Sequence, residues 1–178
     1  QRQMCIRDRG IFALWYLVTG QFKAALRAAA AGLVTIAIGL AVMPTASWEY
    51  WTHYMLTPNR LGGLTWAGNQ SLSGMLLRLG HGNLTLVWLV LVALCCALAG
   101  IASPRLWQEG GADQVWSLLC AGLCGCLVSP VSWSHHWVWG SLIIVAGLAD
   151  RRRCRQVLAL IWALASPVSY THLTLPTT

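Results

Sequence analysis

Charge is what this sequence most conspicuously lacks. Of 178 residues only 10% are charged and only five are acidic, against roughly 25% charged in an ordinary soluble domain. Hydrophobic residues make up 57% of the chain. A soluble protein of this length could not hide that surface around one core, because a large share of its residues must face water. Strand-like alternation is also missing, which excludes a sheet as the main architecture. Nor do the cysteines form a disulfide framework. Cys95, Cys96, Cys120, Cys124 and Cys126 lie in apolar runs and Cys154 in an arginine cluster, and buried cysteine usually behaves as a small hydrophobe. The Cys120, Cys124 and Cys126 group therefore carries no metal expectation. What is abundant is glycine (17) and tryptophan (11), both enriched in membrane helices, tryptophan at their interfaces.

The two ends differ from what lies between. Residues 1–9 (QRQMCIRDR) and 168–178 (VSYTHLTLPTT) are polar and lack helical periodicity. Both resemble translated sequencing-adaptor reads, and we set them aside from fold reasoning as one would an expression scar. That removes Arg2, Arg7, Arg9, Asp8 and His172, leaving a smaller positive balance whose placement decides its meaning.

Within residues 10–167 the pattern predicts an all-α, polytopic membrane protein with about six full or partial transmembrane helices, each crossing needing about 20 mostly apolar residues. Residues 10–20 are a partial span. Residues 24–43 are a full one, stopped by Pro44, and 84–101 another, ending before Ser103-Pro104. The long apolar stretch that follows is divided by Ser129-Pro130 into spans at 115–129 and 133–149, since proline lacks the amide donor and biases its predecessor away from helix. A last, short span covers 156–167. Alternation then puts Lys23, Arg27, Arg105, Arg151, Arg152, Arg153 and Arg155 on one side, and only Arg60 and Arg78 on the other. The positive-inside rule makes the first side cytoplasmic and the setting a plasma membrane. Charge in that arrangement speaks for a bilayer and against nucleic acid.

His53, His81, His135 and His136 all fall on the outer side, with Trp48, Trp51, Trp66, Trp133, Trp137 and Trp139. An interfacial aromatic belt accounts for most of these tryptophans. It does not account for the histidines, which cost free energy near hydrocarbon unless partnered. Two outer segments carry them. The loop 45–83 is long enough to be functional; its SWEYWTHYML stretch suits an interfacial helix. Asn69 and Gln70 offer paired donors and acceptors that suit sugar hydroxyls, although Asn69 or Ser71 equally suits the N-cap of a helix starting near Leu72. The outer turn 130–136 carries His135 and His136. Adjacent helical residues point about 100° apart, so these two are poorly placed to share a metal, and a zinc site would want further ligands and second-shell carboxylates. Hydrogen-bonding an anionic group suits them better, as does satisfying carbonyls freed at the proline turn.

The segments GNQSLSGMLLR (68–78) and SPVSWSHHWVW (129–139), in this order and on the same expected face, resemble the paired signatures of glycosyltransferase family 87, the polyprenol-phosphate-mannose-dependent α-1,2-mannosyltransferases of actinobacteria. The resemblance covers residues 10–166. It implies a GT-C type membrane transferase with a polyprenol-phosphate-sugar donor, a glycolipid or glycan acceptor, a periplasmic active site and no metal or nucleotide cofactor. An inverting transferase needs a carboxylate base and groups that stabilise the departing phosphate. Arg78, His135, His136 and, more weakly, Arg60 are the expected phosphate ligands. Asn69 and Gln70 are expected to orient sugar or phosphate, and Trp133 to stack on a sugar or anchor at the interface. The resemblance places the base, an aspartate, in an outer loop upstream of residue 10; Glu49 is a weak substitute. A transporter or lipid-binding permease is the alternative, since intramembrane histidines also mark substrate pathways. Transporter sites, however, usually lie at the midplane rather than at one interface.

Overall fold

The computed structural model describes residues 4–54, 64–80 and 84–174, with side chains over 10–54, 64–80, 84–133 and 136–164. In chain order the elements are α1 (Met4–Val18), α2 (Phe22–Val42), α3 (Pro44–Glu49) running into a π-turn (Tyr50–Tyr54), α4 (Leu72–Leu79), α5 (Thr85–Glu109), α6 (Ala112–Val128), a 3₁₀ turn (Ser134–Trp137), α7 (Val138–Ala149) and α8 (Arg153–Thr174). Among the described residues there is no strand, only an isolated bridge between Asn69 and Trp133.

The breaks follow from backbone chemistry. Gly20, at φ +76°, ends α1, and Gly110 and Gly111, at φ +77° and +57°, make the tight turn between α5 and α6, conformations that glycine adopts without steric cost. Pro44 occupies the first turn of α3, where its missing N–H costs nothing. Pro104 behaves differently from the sequence expectation. Instead of ending at Ile101, α5 runs on through Pro104 to Glu109. A proline inside a helix leaves the carbonyl four positions back, here that of Gly100, without its donor; beside Pro104 the helix is tied to α6, Ser117 Oγ donating to the Ser103 carbonyl at 2.7 Å. Residue Gly100, four positions before the proline, has nothing packed at its Cβ position, so the backbone there has room to adjust. The last span also differs: α8 extends through Pro167 to Thr174, and α1 starts at Met4, so helical backbone enters both end segments.

Among the described residues two helices are long and apolar enough to cross a membrane, α2 with 21 residues and α5 with 25. Much of their apolar surface stays uncovered: none of the most apolar window of α5 is buried, and Leu86 is 74% exposed. Exposed apolar surface on this scale is far beyond the patches a soluble monomer carries. α6 and α7 are shorter, at 17 and 12 residues, or about 25 and 18 Å at 1.5 Å per residue.

The packed part is small. α5 lies along α6, α7 along α8, and α1 against α6, around a core of Trp116, Leu119 and Ile143. Small residues let the helices approach closely, as in membrane bundles generally: Gly122 sits under the Trp139 ring, Gly140 under Trp162, and Gly147 against Ala159. Polar glue joins three helices at Ser117, which is fully buried and also accepts the Trp15 indole N–H at 2.9 Å.

At the end of the bundle carrying the α5–α6 and α7–α8 turns, the carboxylates are consumed by arginine. Arg155 bridges Asp113 and Asp150, its guanidinium lies 5.0 Å over the Trp116 ring, and Trp116 Nε1 donates to Asp150 at 2.8 Å. Arg152 adds 3.2 Å pairs to Glu109 and Asp113. Hydrogen bonds from Arg155 and from the Arg152 amide hold the Asp150 carboxyl at about 2. These residues, taken from sequence only as charges in a count, form an ionic clasp between two helical hairpins.

Candidate functional site

The opposite end is built by the 64–80 segment docking onto the 129–137 turn. At the centre of their contact are backbone groups and one carboxamide. Gln70 N donates to the Ser132 carbonyl at 2.8 Å. Asn69 Oδ1 accepts from Ser132 N at 2.9 Å, from Ser71 Oγ at 2.9 Å and from Ser71 N at 3.3 Å. Its Nδ2 donates to the carbonyls of Leu64 (3.0 Å) and Pro130 (3.2 Å). The side chain is fully buried and its hydrogen-bonding capacity is used up. Asn69 therefore holds the two segments together instead of presenting its amide to a sugar, which corrects the ligand role expected for it.

Ser71 takes the capping role. Its Oγ accepts from Gly74 N at 3.1 Å, starting α4 at Leu72 as the N-cap reading anticipated, and its single proton has Asn69 Oδ1 at 2.9 Å and Pro130 O at 3.1 Å as alternative acceptors. Gly74 is required by proximity: a Cβ there would lie 2.6 Å from the Asn69 carbonyl oxygen.

Arg78, one helical turn beyond, reaches back over this joint. Its Nη1 donates to the carbonyls of Asn69 at 2.7 Å and Trp66 at 3.1 Å, yet the residue remains exposed. Gln70 is half-buried, with Nε2 donating to Ala67 O at 2.7 Å. Trp133 is half-buried too, its ring 5.1 Å from that of Trp66 in an edge arrangement.

His136 lies in the 3₁₀ turn Ser134–Trp137, not in a helix beginning at 133; α7 starts only at Val138. Its Nδ1 accepts the Trp133 backbone N–H at 3.2 Å, which places the proton of a neutral ring on Nε2, a donor. Arg60 and His81 lie outside the described residues, as does the His135 side chain. Glu49 is exposed at the end of α3, which packs chiefly against α2 and the following turn, so it is not gathered with the joined segments. Trp66, counted from sequence only among belt tryptophans, is brought into the site by tertiary structure; no local signal distinguishes it.

The arrangement presents a guanidinium, an amide, two tryptophans and an imidazole at one end of an apolar bundle. Such groups can bind an anion and the hydroxyls or apolar face of a sugar. They include no carboxylate poised as a base.

Comparison with known proteins agrees. Glycosyltransferase family 87 is matched over residues 10–130, which takes in the 68–78 segment and reaches the start of the second. The chain is 37% identical over 174 residues, 93% of its length and 40% of the relative's, to a polyprenol-phosphate-mannose-dependent alpha-(1-2)-phosphatidylinositol mannoside mannosyltransferase of Mycolicibacterium smegmatis. It is 34% identical over 154 residues, 85% of the chain and 36% of the relative, to the protein of the same name from Mycobacterium tuberculosis. A phosphatidylinositol pentamannoside mannosyltransferase of M. smegmatis is 31% identical over 136 residues, covering 72% of the chain and 32% of the relative. The chain thus spans about two fifths of the length of the first of these relatives. No solved structure matches it. With the family matched over most of its length, and with both signature segments joined at one end of the bundle, this chain belongs to glycosyltransferase family 87.

Proposed function

We propose that this chain is part of an integral membrane hexosyltransferase of GT-C type, with about six full or partial crossings, that moves mannose from polyprenol-phosphate-mannose to a glycolipid or polysaccharide acceptor on the periplasmic side. The observation that carries the reading is the Asn69-mediated joint, which docks the turn holding Trp133 and His136 onto the segment whose Asn69 carbonyl is bound by exposed Arg78. The donor is already activated as a phosphate ester. What the reaction then needs is a base for the acceptor hydroxyl and fixed donors for the departing phosphate. Arg78 and the Nε2–H of His136 are the phosphate donors in this reading, joined by His135 and Arg60; Gln70 and Trp133 attend the sugar. The base comes from an aspartate in an outer loop of the longer protein. The ionic clasp, and with it Lys23, Arg27, Arg105 and Arg151, faces the cytoplasm in this reading, as the positive-inside rule orders them.

The test is transfer of labelled mannose from polyprenol-phosphate-mannose to a phosphatidylinositol mannoside by membranes containing the full-length protein. Arg78→Ala and His136→Ala should each lower turnover by about 100-fold, the scale for losing one preorganised donor to developing charge, with membrane insertion unchanged. Wild-type turnover in both variants overturns the phosphate assignment. Uptake of a solute without any sugar transfer would establish a transporter instead.

A further inference from the structure

Trp66 is 60% exposed and lies in the irregular segment ahead of α4, not on the lipid-facing side of a helix. Four contacts hold it in place. Gly68 packs beneath it, so closely that a Cβ would lie 3.0 Å from Trp66 Cε3 and Cζ3 and 3.3 Å from Trp133 Cε3. The edge of Trp133 stands against its ring at 62°. Its carbonyl accepts from Asn69 N at 2.9 Å and from Arg78 Nη1 at 3.1 Å. A tryptophan serving only as an interfacial anchor needs none of this, because any orientation at headgroup level serves.

The consequence is a fixed pair: a largely exposed indole and, tied to the same residue's carbonyl, an exposed guanidinium. One ligand class has the complementary pair. A hexosyl phosphate carries a C–H-rich pyranose face next to an anion. The ring's negative face attracts such C–H groups, the indole N–H can donate to a hydroxyl, and arginine takes phosphate oxygens through its planar fork.

We infer that Trp66 is a substrate-binding residue, the stacking wall for the pyranose of the lipid-linked hexosyl phosphate whose phosphate Arg78 takes. This rests on the function proposed above and adds the sugar subsite to it. Rigid placement means that little ordering cost is left to be met on binding.

The experiment is hydroxyl-radical footprinting of the full-length protein in nanodiscs, read at Trp66 by mass spectrometry, with polyprenol-phosphate-mannose or with sugar-free polyprenol phosphate. Oxidation of Trp66 should fall severalfold with the mannosyl lipid and stay unchanged with the sugar-free one. Equal protection by both makes Trp66 a lipid contact and overturns the inference, as does protection by neither. In kinetics, Trp66→Ala should raise the donor KM by about tenfold, the scale of a lost aromatic contact of roughly 1.4 kcal/mol, and leave the acceptor KM unchanged. Trp66→Phe should recover most of it, and Trp48→Ala, exposed on α3, should match wild type. A wild-type protein that transfers no mannose removes the proposed function and this inference with it. An active wild type whose donor KM ignores Trp66→Ala removes this inference alone.

Discussion

Asn69 Oδ1 accepts the Ser132 backbone N–H at 2.9 Å across 63 positions of sequence, and the Asn69–Trp133 bridge lies beside it. Through that pair a loop and a proline turn, each too irregular to hold a shape alone, become one surface. The side chains exposed on that surface owe their positions to a residue that is itself fully buried.

Asn69→Ala should therefore damage the site from inside. It leaves the Ser132 amide without its acceptor in a dry environment, at about 1–3 kcal/mol, while the Ser71 hydroxyl keeps the Pro130 carbonyl. Asn69→Asp keeps an acceptor but sets a charge against the Leu64 and Pro130 carbonyls, and should be no better. Thermal unfolding in detergent, followed with a thiol-reactive dye that reports the buried Cys124, should show a lowered midpoint for both. A wild-type midpoint for Asn69→Ala would mean that the joint is not held this way.

Gly74→Ala should cost about 1–3 kcal/mol by overpacking, because the new methyl meets the Asn69 backbone oxygen at 2.6 Å and its Cγ at 2.7 Å, neither of which can swing aside. Gly32→Ala on α2 meets nothing and should be neutral or stabilising by up to about 1 kcal/mol from helix propensity. The same unfolding assay compares the two, and equal effects would contradict the packing argument.

At the ionic end, Arg155→Met should lower the unfolding midpoint, because it strands two carboxylates that the fold holds together; the Arg155 and Asp150 side chains are only 12% and 6% exposed. Lysine should recover part of the loss, since a point charge cannot bridge two carboxylates as the guanidinium fork does. Arg151→Met, exposed, should stay within about 0.5 kcal/mol of wild type. Arg155→Met unfolding like wild type would show that the clasp contributes nothing.

Acid should open the same clasp. Asp150 titrates at about 2 in the fold, below its usual value of about 3.9, and Asp113 is also lowered, first by its hydrogen bond with Arg155. A depressed carboxylate contributes stability that is complete above its unfolded pKa and is lost as pH falls towards its folded one. The unfolding midpoint should thus show no pH dependence from Asp150 between pH 7 and 5, where its contribution is complete, and a decline from about pH 4 to 2. In Asp150→Asn that acid limb should shrink; an unchanged limb would assign it to other groups.

Much of this was legible in the sequence, and for a common reason. Apolar run length, the breaks at Pro44 and Pro130, and the helix start at Ser71 all depend on neighbours in the chain, as do the missing amide of proline and the capping hydroxyl of serine. Pro104 is the exception that shows the limit: a bond from Ser117 on another helix meets the backbone beside it, and no local rule contains that partner.

Residue type alone determined that this is an apolar, helical, membrane-suited chain, and two short segments pointed to its family. Tertiary structure decided which polar residues are scaffold and which face outward. Asn69 has the chemistry of a sugar ligand, but burial and five hydrogen bonds engage it wholly within the protein. Trp66 has the composition of a membrane anchor, but Gly68, Trp133 and Arg78 fix it at the joint. Burial and partnership are properties of contacts between distant positions, and they come into existence only when the chain has folded.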